Sequence, residues 1–139
     1  GSGENIKILL NTNGGDVGVG VNIVDIISKL KTPTEIIVLA SAYSMGSLIL
    51  MSAYKNPNVT TKCYHFSTAL IHSGSTYVSG TSTQVKDYHN FQEKYEKMIK
   101  EFIISHSKIT EDEYEGMYRF EWYLTSKDML DKGLVQEII

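Results

Sequence analysis

Two short apolar runs separated by a single helical pattern constrain this chain more than any other feature. Asn5-Ile6-Lys7-Ile8-Leu9-Leu10 and Glu35-Ile36-Ile37-Val38-Leu39-Ala40 have strand length and carry the β-branched residues that strands favour. Between them lies the turn cluster Asn11-Thr12-Asn13-Gly14-Gly15-Asp16. Val17, Val21, Val24 and Ile27 then follow at helical spacing, widened by Ile23, Ile26 and Leu30 and ended before Pro33. A strand, a helix and a strand in one sheet require parallel strands joined by a right-handed crossover. The glycine turn and the segment after the second strand therefore fall at the same, carboxyl edge of the sheet, where ligands bind in open α/β folds. The first strand, mostly apolar, is expected to be covered on both faces.

The segment after the second strand is Ala40-Ser41-Ala42-Tyr43-Ser44-Met45-Gly46-Ser47, followed by the helical run Leu48-Ile49-Leu50-Met51-Ser52-Ala53. A serine at a tight strand-to-helix turn has two readings. Ser44 is either a nucleophile beside the free N–H groups of the helix start or an ordinary helix cap. The pattern Ser-x-Gly does not separate them. The run Gly14-Gly15-Asp16-Val17-Gly18-Val19-Gly20 matches neither the dinucleotide fingerprint nor the phosphate loop that ends in Gly-Lys-Ser/Thr. Asp16 also places a negative charge where a phosphate would sit.

Further along, Val59-Thr60-Thr61-Lys62-Cys63-Tyr64-His65-Phe66 and Ala69-Leu70-Ile71-His72 read as strands, and residues 75–81 as an extended, polar, protruding segment. A long helix is expected from Thr83 to Ser105, with Tyr88, Phe91, Tyr95, Met98, Ile99, Phe102 and Ile103 as a packing stripe. Thr110-x-x-Glu113 and Thr125-x-x-Asp128 are capping boxes, and Lys132-Gly133 closes the last helix before a terminal strand beginning at Leu134-Val135. Of the four histidines, His65, His89 and His106 read as structural or solvated. His72 ends a strand at a small-residue turn, where a general base can reach a nucleophile.

With 139 residues the chain is one α/β domain, large enough for a core without staples. A net charge of −3 offers no basic surface to nucleic acid, and no apolar run is long enough to span a membrane. The lone Cys63 suits a reducing cytoplasm and reads as a buried structural thiol. No histidine has metal-ligand spacing with cysteines or acids, so neither a metal nor another cofactor is expected. Gly1-Ser2-Gly3 reads as a non-native leader, which leaves residues 4–139 as the domain.

Asn13-Gly14-Gly15-Asp16-Val17, Ala42-Tyr43-Ser44-Met45-Gly46, Leu70-Ile71-His72 and Lys132-Gly133-Leu134-Val135 together resemble the proteolytic subunit of the Clp protease, in order and in register, from about Glu4 to Ile138. The resemblance implies a spiral α/β domain of the kind shared with crotonases, with a protruding handle helix. It also implies a serine endopeptidase acting on peptides or unfolded protein inside a homo-oligomeric ring. Ser44 would be the nucleophile, His72 the base, and the N–H groups of Gly15 and Met45 the oxyanion hole. The family's third member is an aspartate. The matching position here is Glu121, with Asp112 and Asp128 as neighbouring acids. The family's proline-containing stretch after the histidine is replaced by Ser73-Gly74-Ser75. Only Gly1 to Thr12 precede the glycine turn, where the family carries another strand–helix unit. That points either to a truncated piece or to a short form and counts against docking to an ATP-dependent unfoldase; the divergence from the family suggests a minor, phage-type relative. Two other readings stay open: a non-catalytic ring subunit and a crotonase-type acyl-CoA enzyme.

Overall fold

The computed structural model describes residues 4–73 and 77–139. Its centre is a ten-residue strand, Thr34–Tyr43, which is β2 in an order that runs β1 (Ile6–Thr12), α1 (Val17–Ser28), β2, α2 (Met45–Met51), β3 (Val59–Cys63) and β4 (Thr68–Ile71). The remainder is α3 (Ser82–Ser105), α4 (Glu111–Met117), β5 (Trp122–Leu124), α5 (Ser126–Asp131) and β6 (Glu137–Ile138). The first two strands are parallel, as their helical crossover requires.

β2 changes partner along its length. Its first half pairs β3 from Thr34↔Val59 to Val38↔Cys63, and its last three residues pair β4 from Ser41↔Thr68 to Tyr43↔Leu70. β1 lies on the opposite side and carries a register break between Leu10 and Thr12. Side chains hold this kink on both flanks. Asn11 Oδ1 accepts from Ser41 N and Oγ at 3.3 Å, while Ser67 Oγ donates to Val38 O and Leu39 O at 2.9 and 2.6 Å. The chain of strands reads β5-β4-β2-β3-β6, with β4 and β5 antiparallel and the other pairings parallel.

The core is formed by Ile36, Val38, Leu50, Met51, Leu124, Met129, Leu134 and their neighbours, all nearly inaccessible. Leu134 and Val135 are buried, yet the terminal strand forms only at Glu137–Ile138. β3 ends at Cys63, so His65 falls in a turn rather than in the strand.

The sequence overstates burial in three places. β1 buries only Leu10; Leu9, on the opposite face of the strand, is open. On α1 only Gly20, Val24 and Ile27 are buried, whereas Ile23 and Ile26 face outward. On α3 only Ile103 is buried, with Ile99 and Phe102 packed at the core's margin. Phe91 and Met98 are 58% and 63% exposed and no residue of α3 before Ile103 is buried, so most of the helix stands as an arm and the apolar stripe there is not packing. Thr81 caps this helix in a capping box with Gln84 that the sequence reading did not single out. The protruding segment expected over residues 75–81 is described only from Tyr77, which is 89% exposed.

Candidate active site

The strand–helix junction is a single residue. β2 runs to Tyr43 and α2 starts at Met45, so Ser44 alone makes the turn, at φ 56 and ψ −116. It is the one non-glycine residue with positive φ among the described residues. Such a conformation costs on the order of 1–3 kcal/mol and persists only where its surroundings fix it. Here Ser44 N donates to Leu70 O at 2.9 Å, which ties the turn to β4. The Ser44 hydroxyl makes no capping hydrogen bond; Ser47 Oγ binds the Ser44 carbonyl instead, at 2.6 Å. The helix-cap reading of Ser44 therefore fails.

Close packing brings the glycine turn to this serine. Gly14 has φ +100, and a Cβ added there would lie 3.0 Å from Ser44 Cβ and 3.1 Å from Tyr43 O. The sequence points to the Gly14-Gly15 pair for close backbone approach and to Gly15 for its N–H; the structure shows that Gly14, through its missing side chain, is the one that touches Ser44. On the next turn of chain, a Cβ on Gly46 would fall 2.5 Å from Thr12 Cγ2, so α2 can sit on the end of β1 only with glycine there.

His72 and Glu121 meet through strand register. The antiparallel ladder of β4 and β5 ends at Ile71↔Trp122, so the next row outward is His72 and Glu121. His72 Nδ1 and Glu121 Oε1 are 3.0 Å apart, with the side chains 24% and 58% exposed. A carboxylate only accepts, which assigns a proton to Nδ1; in the neutral ring the lone pair is then on Nε2. The two other acids do not compete for His72. Asp128 Oδ2 accepts from Thr125 N at 3.0 Å within its capping box, and Asp112 lies in the first turn of α4.

Gly15, Ser44, Met45 and His72 line one cleft of about 340 Å³. Its far wall comes from α3, through Gln92, Tyr95, Glu96 and Ile99, and from Tyr114 of α4 with Tyr118 just after it. The contribution of α4 carries no sequence signal, because it depends on where the short helix folds back. Lys100 ties the two helices by pairing with Glu111 at 3.0 Å and with Glu115. Those carboxylates hold its ammonium above the usual lysine range. A hydrogen bond from Ser44 Oγ to the imidazole is not among those formed by the described residues. Ser73 also lines the cleft, whereas Gly74 and Ser75 lie outside the described residues.

The remaining candidates have local duties. His106 stacks on Phe102 with centroids 4.0 Å apart, and burial lowers its pKa. The His65 carbonyl accepts from Ser126 Oγ at 2.7 Å, and His89 lies on the exposed surface of α3. Cys63 is fully buried, and desolvation pushes its thiol up to about 11, far from a reactive thiolate. Among the described residues no helix is long and apolar enough to cross a membrane.

A strained serine at a strand–helix junction, opening on a cleft that also holds a carboxylate-bound imidazole, defines an α/β protein with a site suited to acyl transfer. Comparison with known proteins gives the family. All of residues 1–139 match the Clp protease family model, and the chain belongs to that family. It is 26% identical over 143 residues to the translocation-enhancing protein TepA of Halalkalibacterium halodurans, covering 97% of this chain and 53% of that protein. It is 25% identical over 134 residues to the ATP-dependent Clp protease proteolytic subunit 2 of Treponema pallidum, covering 96% of this chain and 66% of that protein. The chain thus spans between about half and just under two thirds of these relatives' length.

Proposed function

We propose that the chain is a serine endopeptidase subunit that hydrolyses peptide bonds in peptides or unfolded protein. Residues 4–139 act as one domain within a homo-oligomeric ring. Ser44 Oγ attacks the scissile carbonyl. His72 Nε2 takes the hydroxyl proton and later delivers it to the leaving amine. Glu121 keeps the proton on Nδ1 and stabilises the imidazolium that forms between these steps. The N–H groups of Gly15 and Met45 receive the oxyanion. The carbon–nitrogen bond breaks as the acyl-enzyme forms, and water then releases the acid by the same route in reverse.

The observation that carries the proposal is the 3.0 Å contact of His72 Nδ1 with Glu121 at the sheet edge that also bears the strained Ser44. A glutamate in place of the family's aspartate still reaches the ring. The membership in the Clp protease family supports the choice of peptide bonds as substrate. The open apolar side chains of α1 and the α3 arm support assembly, since patches of this kind mark interfaces.

The test is hydrolysis of a fluorogenic peptide by the purified protein, with its oligomeric state measured in the same buffer. Ser44→Ala and His72→Ala should each remove activity to a similar extent, because the members of such a triad act as a unit. Hydrolysis that survives in Ser44→Ala would refute the assignment. A folded, assembled wild-type protein without hydrolysis would make the non-catalytic ring subunit the better reading.

A further inference from the structure

Glu121 sits on an insecure element. β5 has three residues and, among the described residues, pairs only with β4 and is the last strand of its side of the sheet. Glu121 precedes it and is largely exposed. On the core face Leu124 anchors the far end of β5 and Trp122, next to Glu121, packs at the core's margin, so the strand needs its second hold on the other face.

That hold lies on the face opposite the main core. Tyr43 of β2, Leu70 of β4 and Tyr123 of β5 form one row across three strands, through the pairs Tyr43↔Leu70 and Leu70↔Tyr123. The two tyrosine rings meet across β4 with centroids 5.8 Å apart and planes at 80°, an edge-to-face contact. Leu70 between them is only 6% exposed although it lies outside the main core cluster. The Tyr43 hydroxyl is fixed by a 2.8 Å hydrogen bond with Thr68 Oγ1. Side chains two apart on a strand share a face. Tyr123 is therefore on the same face as Glu121, Leu70 on the same face as His72, and Tyr43 directly precedes Ser44.

We propose that Tyr43 and Tyr123 are positioning residues whose contact across β4 holds the strand beginning at Glu121 against the strand ending at His72. It keeps the carboxylate on Nδ1 and fixes the height of both groups relative to Ser44. The kinetic half of this inference rests on the endopeptidase reading, whereas the structural half does not. Glu93, Glu96, Lys97 and Lys100 of α3 and Glu115 of α4 share the cleft with His72, but Glu121 is the group bonded to its ring.

The experiment compares wild type with Tyr123→Ala and Tyr123→Phe by proton and nitrogen NMR of the imidazole, by steady-state kinetics and by thermal melting. Wild type should show a low-field Nδ1–H proton for His72. In Tyr123→Ala this signal should vanish or broaden, while kcat falls between about ten- and a hundredfold and KM stays constant, as expected for a misplaced catalytic group. Tyr123→Phe keeps the ring edge and should restore both readouts. If alanine unfolds the chain, Tyr123→Leu covers Leu70 without presenting a ring and should lose the same signal. An unchanged signal in folded Tyr123→Ala or Tyr123→Leu overturns the proposal, as does the absence of the signal from wild type. A wild type that shows the signal but hydrolyses no peptide refutes the endopeptidase reading and leaves the NMR arm to decide this one.

Discussion

Replacing Glu121 by glutamine tests the acid in the site with almost no change of shape. Glutamine can still accept from His72 Nδ1–H across the 3.0 Å contact, so the ring's orientation can survive. What disappears is the negative charge that faces the imidazolium while the proton is on His72. Two unit charges about 4 Å apart interact by roughly 2 kcal/mol when the effective dielectric is about 40, midway between the protein surface and bulk water. A high dielectric is the right choice because the Glu121 side chain is 58% exposed and water can replace part of the carboxylate's effect. Two kcal/mol corresponds to about a thirtyfold loss in kcat, well short of the ~10⁴-fold seen when a buried triad aspartate is neutralised. The assay is single-turnover hydrolysis of a peptide ester and the matching amide, with folding and oligomeric state checked for both proteins. The amide, whose leaving group needs the proton back, should suffer at least as much as the ester. A rate within about twofold of wild type, less than half a kcal/mol, would show that Glu121 does not stabilise the charged imidazole. The contact in the structure would then be incidental.

Other consequences follow from the same geometry. Ser44→Gly removes the hydroxyl and also relieves the strain of φ 56; it should abolish hydrolysis while raising stability by about 1 kcal/mol in urea denaturation. Asn56, 7% exposed, donates through Nδ2 to Ile27 O and Leu30 O and accepts from Asn58 N, all at 2.9 Å, which closes the end of α1. Asn56→Ala should cost about 2–4 kcal/mol, because it strands those buried groups; a shift in denaturation midpoint worth under about 1 kcal/mol would contradict this. Glu113 pairs with Lys132, and the lysine's hydrogen bond, aided by the Thr110 backbone N–H, holds its carboxyl below the usual carboxylate range. Its stabilisation is therefore complete above the ordinary value of 4.5 and is lost as pH falls through the lower folded value. With both groups about one third exposed, Glu113→Gln should flatten that acid limb of the stability curve by under about 1 kcal/mol.

The sequence revealed the parts of the fold that depend on neighbours along the chain. The capping boxes at Thr110 and Thr125 and the helix after the glycine turn are local patterns that form where expected, and the parallel pairing of β1 and β2 follows from the single helix that joins them. Non-local structure was harder to read. Ala40-Ser41-Ala42 looks like a turn, yet β2 continues through it because β4, not β3, supplies the hydrogen bonds there. β5 escaped notice because three residues after a charged and aromatic stretch become a strand only by pairing with β4. Exposure of Ile23, Ile26, Phe91 and Met98 was hidden for a related reason: helical periodicity identifies an apolar face but not what covers it. At the site, motif order singled out Ser44, His72 and Glu121 as candidates. The strain at Ser44, the part played by Gly14 and the wall made by α4 are properties of the folded chain.

The central claim is that Ser44 is an activated nucleophile, and a fluorophosphonate reagent tests it without knowledge of the natural substrate. Intact-mass spectrometry of the folded protein should show one adduct, mapped by peptide analysis to Ser44, absent from Ser44→Ala and strongly slowed in His72→Ala. A folded protein that stays unlabelled, or one that carries the adduct on another residue, would contradict it.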